Sequence, residues 1–558
     1  MSYRWLLLSL LLLPPGLIAA ASRQPVRARK AMVVSREDHA TQAGVRILRE
    51  GGNAVDAAVA VGLALAVTHP AAGNIGGGGF MLIRFADGRS TFIDFRERAP
   101  EKASRNMYLD RAGNVTQDRI VGYRAAGVPG TVRGLEYAAT KYGRRQWAML
   151  VEPAIELAAK GFPVSYGLSQ SLRSSKLLAR FAESRRIFQR NGRPYEPDEV
   201  LVQPELAATL RRIAQHGSRD FYQGETARRL AEDMERHGGL ITLADLEGYQ
   251  AVERQPLQGS YKGYELTTAP PPSSGGVGVL QMLNMLDGSG YDKPGAGSAA
   301  GIHYIAEAMR RFFADRSQYF GDPDFVKVPV AELIARSYAE KRRQTIRADR
   351  ATPSGEIRPG EPAGAEAAET THYSVVDAEG TAVAVTYTLN GGYGCGAAAE
   401  GLGFLLNNEM DDFTSKAGVP NMFGLLQGER NAIQPRKRPL SAMTPTIVTR
   451  DGKLFLVLGS PGGPTIISTV LLVLANILDF GMGVQQAVDW PRFHHQWMPD
   501  ELRLEAAGFS PDTIDLLRSR GHQVRLVNSQ GDVAAIQIRD GWLLGAADPR
   551  GEGAARGY

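Results

Sequence analysis

Residues 369–390 read ETTHYSVVDAEGTAVAVTYTLN, and their alternation of polar and apolar positions decides how the C-terminal third of the chain is built. The pattern predicts strands over 372–377 and 381–389, joined by Ala378-Glu379-Gly380 as a three-residue hairpin loop with Gly380 in the left-handed position such loops favour. That loop sets Asp377 opposite Thr381, and counting outward sets Thr370 opposite Thr388. Thr386 and Asn390 then share the face of Thr388, because side chains alternate along a strand. A two-residue loop would shift every pair by one.

Two readings of Thr370 follow. A threonine at a chain terminus carries an α-amine with a pKa of about 7.7–8.0 beside its own hydroxyl, which can act as general base for that nucleophile. Cleavage between Glu369 and Thr370 would create such a terminus. The other reading is that these threonines serve the strand propensity of β-branched residues.

Working outward, residues 349–369 are rich in Pro, Gly, Ala and Glu, a composition that buries little apolar surface, and are expected to form a flexible linker ending at Thr370. Further upstream, 39–50 reads as an amphipathic helix closed by Gly51-Gly52, and 54–67 as an Ala-rich helix apolar on all sides and therefore buried. The cluster Gly76 to Gly79 precedes the strand-like 80–85, the wrong order for a dinucleotide-binding turn. Residues 130–345 look mostly helical, with amphipathic pieces at 205–216 and 301–318. Downstream of the hairpin, strands are expected at 446–449 and 454–458 around Asp451-Gly452, then a helix over 465–480.

Between that last strand and helix lies Gly459-Ser460-Pro461-Gly462-Gly463-Pro464. Its glycine amides can converge on an oxyanion at a helix N-terminus, or the stretch can be a tight turn and nothing more. It is not a Gly-x-Ser-x-Gly elbow, which makes Ser460 a weak nucleophile candidate. His494-His495 lacks the i, i+4 spacing of a helical metal pair, and no HExxH or Cys/His cluster occurs, so neither metal nor cofactor is expected.

The chain has 558 residues, 43% hydrophobic and 22% charged, as expected of a globular protein. A formal charge of +5 with Lys and Arg scattered argues against a nucleic-acid partner. One cysteine, Cys395, permits no internal disulfide. Arg4, the apolar run 6–13, Pro14-Pro15-Gly16 and Ala19-Ala20-Ala21 read as a secretory signal peptide over 1–21. The run is too short for a stable membrane anchor, so a periplasmic or secreted protein is expected.

With these pieces in hand, the sequence resembles the gamma-glutamyltransferases of the N-terminal nucleophile hydrolase superfamily. The resemblance runs from about residue 25 to the end. It is carried by GGNAVDAAVA, GNIGGGGF, DFRERAP, TTHYSVVDAEGTAVAVTYTLN, LLNNEMDDF, KRPLSAMTPTI, GSPGG and PRFHHQW. It implies a four-layer αββα sandwich and a precursor that cuts itself between Glu369 and Thr370. The products would be a large chain, 22–369, and a small catalytic chain, 370–558, joined in one αββα unit.

By the same match, Thr370 would take a γ-glutamyl group from glutathione or a related amide and pass it to water, an amino acid or a dipeptide. Thr388 would hydrogen-bond the Thr370 amine, and Gly462 and Gly463 would supply the oxyanion amides. Arg96 would bind the glutamyl carboxylate, for which a planar fork is apt. Asn390, Glu409 and Asp412 would hold the ammonium, Ser441 would be another head-group contact, and 416–438 would be a lid. One departure is Ala442, where relatives usually have a second serine. That position keeps a cephalosporin (glutaryl) acylase of the same superfamily as an alternative, beside a non-catalytic exported binding protein that retains the fold.

Overall fold

The computed structural model describes residues 22–358 and 370–558. The expected signal peptide and the expected cleavage residue Glu369 lie outside the described residues.

The hairpin forms as its loop length requires. Strands Thr371–Val376 and Ala382–Thr388 pair antiparallel with Thr371 opposite Tyr387 and Val376 opposite Ala382. Gly380 sits at φ +88°, a conformation that costs glycine nothing. Both strands lie in the middle of a seven-stranded sheet, flanked by Met32–Ser35 on one side and Gly78–Arg84 on the other. A second seven-stranded sheet is centred on Thr446–Arg450 and Lys453–Gly459.

Three apolar layers hold the four structural layers together. Between the sheets, Met32, Val34, Phe80, Leu82, Ala382 and Ala384 meet Ile447, Val457, Ile536 and Leu543. The alternate residues of the hairpin, Tyr373, Val375, Val383, Val385 and Tyr387, point outward into helices from the N-terminal third. One of these, Ala54–Thr68, is buried along its whole length, as an all-apolar helix must be. It starts on a capping box in which Asn53 and Asp56 satisfy each other's backbone amides. Helices Gly275–Leu286, Ala299–Tyr319 and Thr465–Leu478 cover the outer face of the second sheet. The architecture is therefore helix, sheet, sheet, helix.

Residue 370 does not divide this body into two domains. Both sheets take strands from either side of it, so segments 22–358 and 370–558 share one core. Among the described residues, no helix is long and apolar enough to cross a membrane.

Two expectations need correction. The linker expected over 349–369 is tied down in its first half. Thr352 Oγ1 donates to Glu307 at 2.7 Å, Ser354 N to Asp500 at 2.7 Å, and Trp497 Nε1 to the Ser354 carbonyl at 2.8 Å. Composition hides this because the anchors are a few polar bonds to distant residues and the one large apolar side chain, Ile357, buried in the core of the second sheet. The expected helical middle also contains a hairpin, Leu257–Tyr261 with Tyr264–Thr268, which forms an edge of the second sheet. Its turn residues Lys262 and Gly263 both have positive φ.

Candidate active site

The register brings Thr370 Oγ1 to 3.5 Å from Thr388 Oγ1, the outer limit of a hydrogen bond. Thr388 Oγ1 also accepts from the Asn390 amide at 2.7 Å, which fixes its rotamer. Asn390 itself has φ +76°, a left-handed turn that asparagine tolerates better than most residues. Its side-chain amide donates to the Asn408 carbonyl at 3.0 Å.

Both threonines line a cavity whose walls include Arg96, Asn390, Glu409, Asp412, Ser441 and Gly463. Every described candidate residue is thus on this wall except Gly462, which is its neighbour in sequence. The room is small. About 20 Å³ is open to the centre of a water-sized sphere, enough for a water molecule and too little for an amino-acid head group without movement of the walls.

Part of that wall is the stretch 416–438, through Phe423 and Leu425. It is held to the turn Glu409–Asp412: Met422 N donates to Asp411 at 2.7 Å and Asn421 Nδ2 to Asp412 at 3.0 Å. Arg119 pairs with Asp411 at 2.7 Å and donates to the Pro420 carbonyl at 3.1 Å. Burial nonetheless pushes the Asp411 carboxyl up to about 7.

Gly462 and Gly463 have φ +130° and +54° in the turn before helix Thr465–Leu478. Their carbonyls accept from Thr465 N and Ile466 N, both at 3.1 Å. Their own amides donate to no protein acceptor among the described residues. Ser460, by contrast, is committed to the turn, donating to the Pro461 carbonyl and accepting from Asp532 N.

Arg96 is only 1% exposed, and each of its guanidinium nitrogens has a protein partner. Nη2 pairs with Asp412 at 2.6 Å, Nη1 touches Glu409 and lies 3.5 Å from Glu97, and Nε donates to the Pro439 carbonyl at 3.3 Å. Packing several carboxyls into a buried site raises their proton affinity. Burial lifts Glu97 to about 7 and Glu409 well above the usual range, against the pull of the Arg96 charge.

Sequence inspection missed two charged groups of this site. Glu97 adjoins Arg96, with neither carboxylate oxygen in a well-aligned hydrogen bond. Arg316, from helix Ala299–Tyr319, also lines the cavity. The signal for Arg316 was that Glu307, Arg310, Arg311, Asp315 and Arg316 crowd onto a helix whose every face turns out to be covered.

Away from the cavity, Asp233, His237 and Glu400 bring possible metal-ligand atoms within 4.8 Å of one another. Arg236 already pairs with Asp233 at 3.2 Å and Glu400 at 2.6 Å, which supplies the positive charge there.

The chain is 52% identical over 530 residues to the glutathione hydrolase proenzyme of Escherichia coli K12, covering 94% of this chain and 91% of the relative. The solved cephalosporin acylase of Bacillus halodurans superposes with a TM-score of 0.85 at 27% identity, covering 98% of this chain and 99% of that one. The Helicobacter pylori gamma-glutamyltranspeptidase structure is 44% identical with a TM-score of 0.58, covering 61% of this chain and 97% of that one. The family model described as Gamma-glutamyltranspeptidase matches residues 40–558, nearly the entire sequence, and the chain belongs to that family.

Proposed function

We propose that this protein is a self-processing gamma-glutamyltransferase and glutathione hydrolase that works through a γ-glutamyl ester of Thr370. The observation that carries the proposal is the meeting of Thr370 and Thr388 on a cavity that also presents Arg96, Asp412 and Gly463, whose amide, like that of adjoining Gly462, meets no protein acceptor among the described residues.

In the first step, Thr370 Oγ1 attacks the Glu369 carbonyl. The peptide C–N bond breaks as an ester forms, the Oγ1 proton ending on the departing nitrogen, which becomes the Thr370 amine; water then hydrolyses the ester, releasing the Glu369 carboxylate and freeing the Thr370 hydroxyl. Residues 22–369 and 370–558 become two chains that stay associated, because their strands share both sheets.

In turnover, the free amine takes the proton of its own hydroxyl as Oγ1 attacks the γ-amide carbonyl. The Gly462 and Gly463 amides stabilise the oxyanion, and the departing amine carries a proton away. Water, an amino acid or a dipeptide then attacks the ester and restores Thr370. Asp412, Glu409 and Asn390 receive the donor's ammonium, while Arg96 and Ser441 bind its carboxylate end. The stretch 416–438 must move to admit the donor, given how little room the cavity has. An exported location is supported by the signal-like residues 1–21.

The test is release of p-nitroaniline from γ-glutamyl-p-nitroanilide. Hydrolysis is expected without an acceptor and acceleration with glycylglycine. Processed protein that releases none would refute the proposal.

The glutaryl-acylase alternative draws on Ala442, which lines the cavity where a second hydroxyl is usual in the family. The paired Asp412 and Arg96, suited to a zwitterionic head group, favour the γ-glutamyl donor.

A further inference from the structure

A second cavity, with a volume of about 200 Å³, opens on the surface beside residues 98–101. It shares no lining residue with the Thr370 cavity. Its floor is Ala99, Val128 and Tyr249, all buried, and the Tyr249 hydroxyl donates to the Arg96 carbonyl at 2.8 Å. One short stretch of chain thus lines the donor cavity with Arg96 and this one with Arg98 and Ala99.

The charges of this cavity are unequally matched. Asp245 is committed, because one oxygen takes the Glu101 amide at 2.7 Å and the other takes the Thr242 amide at 2.8 Å, closing a helix cap. Glu101 pairs with Arg436 through Nε at 2.6 Å. Arg98 has no carboxylate partner. Among the described residues its bonds run to backbone carbonyls, Nε to Arg436 at 2.8 Å and Nη1 to Gly248 at 3.3 Å, which leaves Nη2 free. Burial and the charges of Arg438 and Arg436 hold its pKa below the ordinary guanidinium value, and an anion placed there relieves that repulsion.

The same residues fasten the end of the stretch 416–438. Ala99 N donates to the Lys437 carbonyl at 2.8 Å and Arg436 N to the Ala99 carbonyl at 2.9 Å, beside the bond from Arg98 Nε. Arg436 has φ +64°, a left-handed conformation uncommon for arginine, and this seam holds it.

We infer that this cavity is an effector site for a small carboxylate with an apolar body, the carboxylate held between Arg98 and Arg436 and the body laid on Ala99, Val128 and Tyr249. A ligand so placed bridges the two sides of the seam and stabilises the arrangement in which the donor cavity has little room. It opposes donor entry without touching Thr370, and by reciprocity a bound donor weakens the effector. The coupling, though not the binding, rests on the opening of 416–438 proposed above.

The probes are N-acetylleucine, whose blocked amine cannot accept an acyl group, N-acetylleucinamide, which lacks the carboxylate, and hexanoate, which lacks the amide. Calorimetric titration of the processed enzyme should show binding of the carboxylates and none of N-acetylleucinamide, and the tighter carboxylate tells an amino-acid or peptide terminus from a simple carboxylic acid. Arg98→Met and Arg436→Gln should each weaken that binding about tenfold. The second variant leaves every backbone bond of the seam in place, and the appearance of two chains checks that both fold. In hydrolysis of γ-glutamyl-p-nitroanilide, N-acetylleucine should raise KM to a plateau roughly fivefold above its starting value, since an effector saturates and a competitor does not. Equal binding of N-acetylleucine and its amide, undiminished binding in both variants, or a KM that stays level or climbs without a plateau would overturn the inference. Calorimetry needs no turnover, so the Thr370 reading fails separately, through a processed wild type that releases no p-nitroaniline.

Discussion

Two polar clusters adjoin the hairpin, one on its strands between the sheets and one around the cavity at its Thr370–Thr388 end, and they are built on opposite plans. Between the sheets, His372 Nδ1 meets Thr386 Oγ1 at 2.8 Å, its Nε2 meets Ser374 Oγ at 3.1 Å, and Ser374 Oγ donates to the Ala534 carbonyl at 3.0 Å. Gly459 of the facing sheet leaves room for the ring, since a Cβ there would fall 2.3 Å from it. Both nitrogens of the imidazole are satisfied and the ring is held neutral, with burial driving its pKa down to about 3. At the other cluster, Arg316 Nη1 and both oxygens of Glu97 and of Glu409 have no well-aligned hydrogen bond, although Glu409 touches Arg96. Buried polar groups in a folded protein are ordinarily satisfied. The contrast separates a cluster that specifies the fold from one that, on the function proposed above, a charged ligand completes.

The largest effect expected concerns the satisfied cluster. Folded His372 binds a proton only near pH 3, whereas its unfolded value is 6.5. As the medium is acidified the unfolded state takes up the proton first, so this contribution is complete above pH 6.5 and is lost on descent toward pH 3, on the order of 4 kcal/mol in all. Urea unfolding at stepped pH should show His372→Gln less stable at neutral pH by about 1–3 kcal/mol but flatter toward acid. KM for γ-glutamyl-p-nitroanilide should be unaffected. A large KM change at unaltered stability would erase the distinction between the clusters.

At the unsatisfied cluster, Arg96→Lys should raise KM for γ-glutamyl donors about 100-fold, because an ammonium cannot reproduce the planar fork that spans Asp412, Glu409 and the Pro439 carbonyl. Self-cleavage should persist. An unchanged KM would remove Arg96 from donor binding.

Ala442→Ser adds a donor on the cavity wall and should improve kcat/KM for γ-glutamyl anilide about tenfold, in line with a hydrogen bond to a charged acceptor. Equal gains on glutaryl and γ-glutamyl anilides would mean the hydroxyl reads only the carboxylate. No gain on either would mean that the carboxylate is already satisfied.

The smallest effect belongs to Asp411, which holds 416–438 through Met422 N and Arg119. Its raised pKa favours the acid in the folded state, and ionisation through about pH 7 strengthens the bond to Arg119. Asp411→Asn should remove a two- to threefold pH dependence of KM between pH 6 and 8. A pH profile of KM identical to wild type would exclude the latch.

Loop length and alternation made the hairpin legible, because a three-residue loop with a left-handed glycine admits one register, and that register alone paired Thr370 with Thr388. The resemblance supplied Arg96, Glu409, Asp412 and Ser441, which come together from segments more than 300 residues apart that no spacing argument links. Arg316 escaped notice because its helix reads as amphipathic, and a charged stripe on such a helix is expected to face water. Burial of that stripe depends on long-range packing against 345–357 and the Ser274 loop. The ordered part of 349–358 was missed for a related reason: its anchors, Glu307, Asp500 and Trp497, are distant in sequence.

The central claim is that Thr370 is both the cleavage nucleophile and the acyl carrier. Mass spectrometry of wild type quenched during turnover should find two chains, with a γ-glutamyl group on the N-terminal residue of 370–558, and Thr370→Ala should give one uncut polypeptide without the adduct. Two chains of normal size from Thr370→Ala, or the γ-glutamyl group on any other residue, would contradict it.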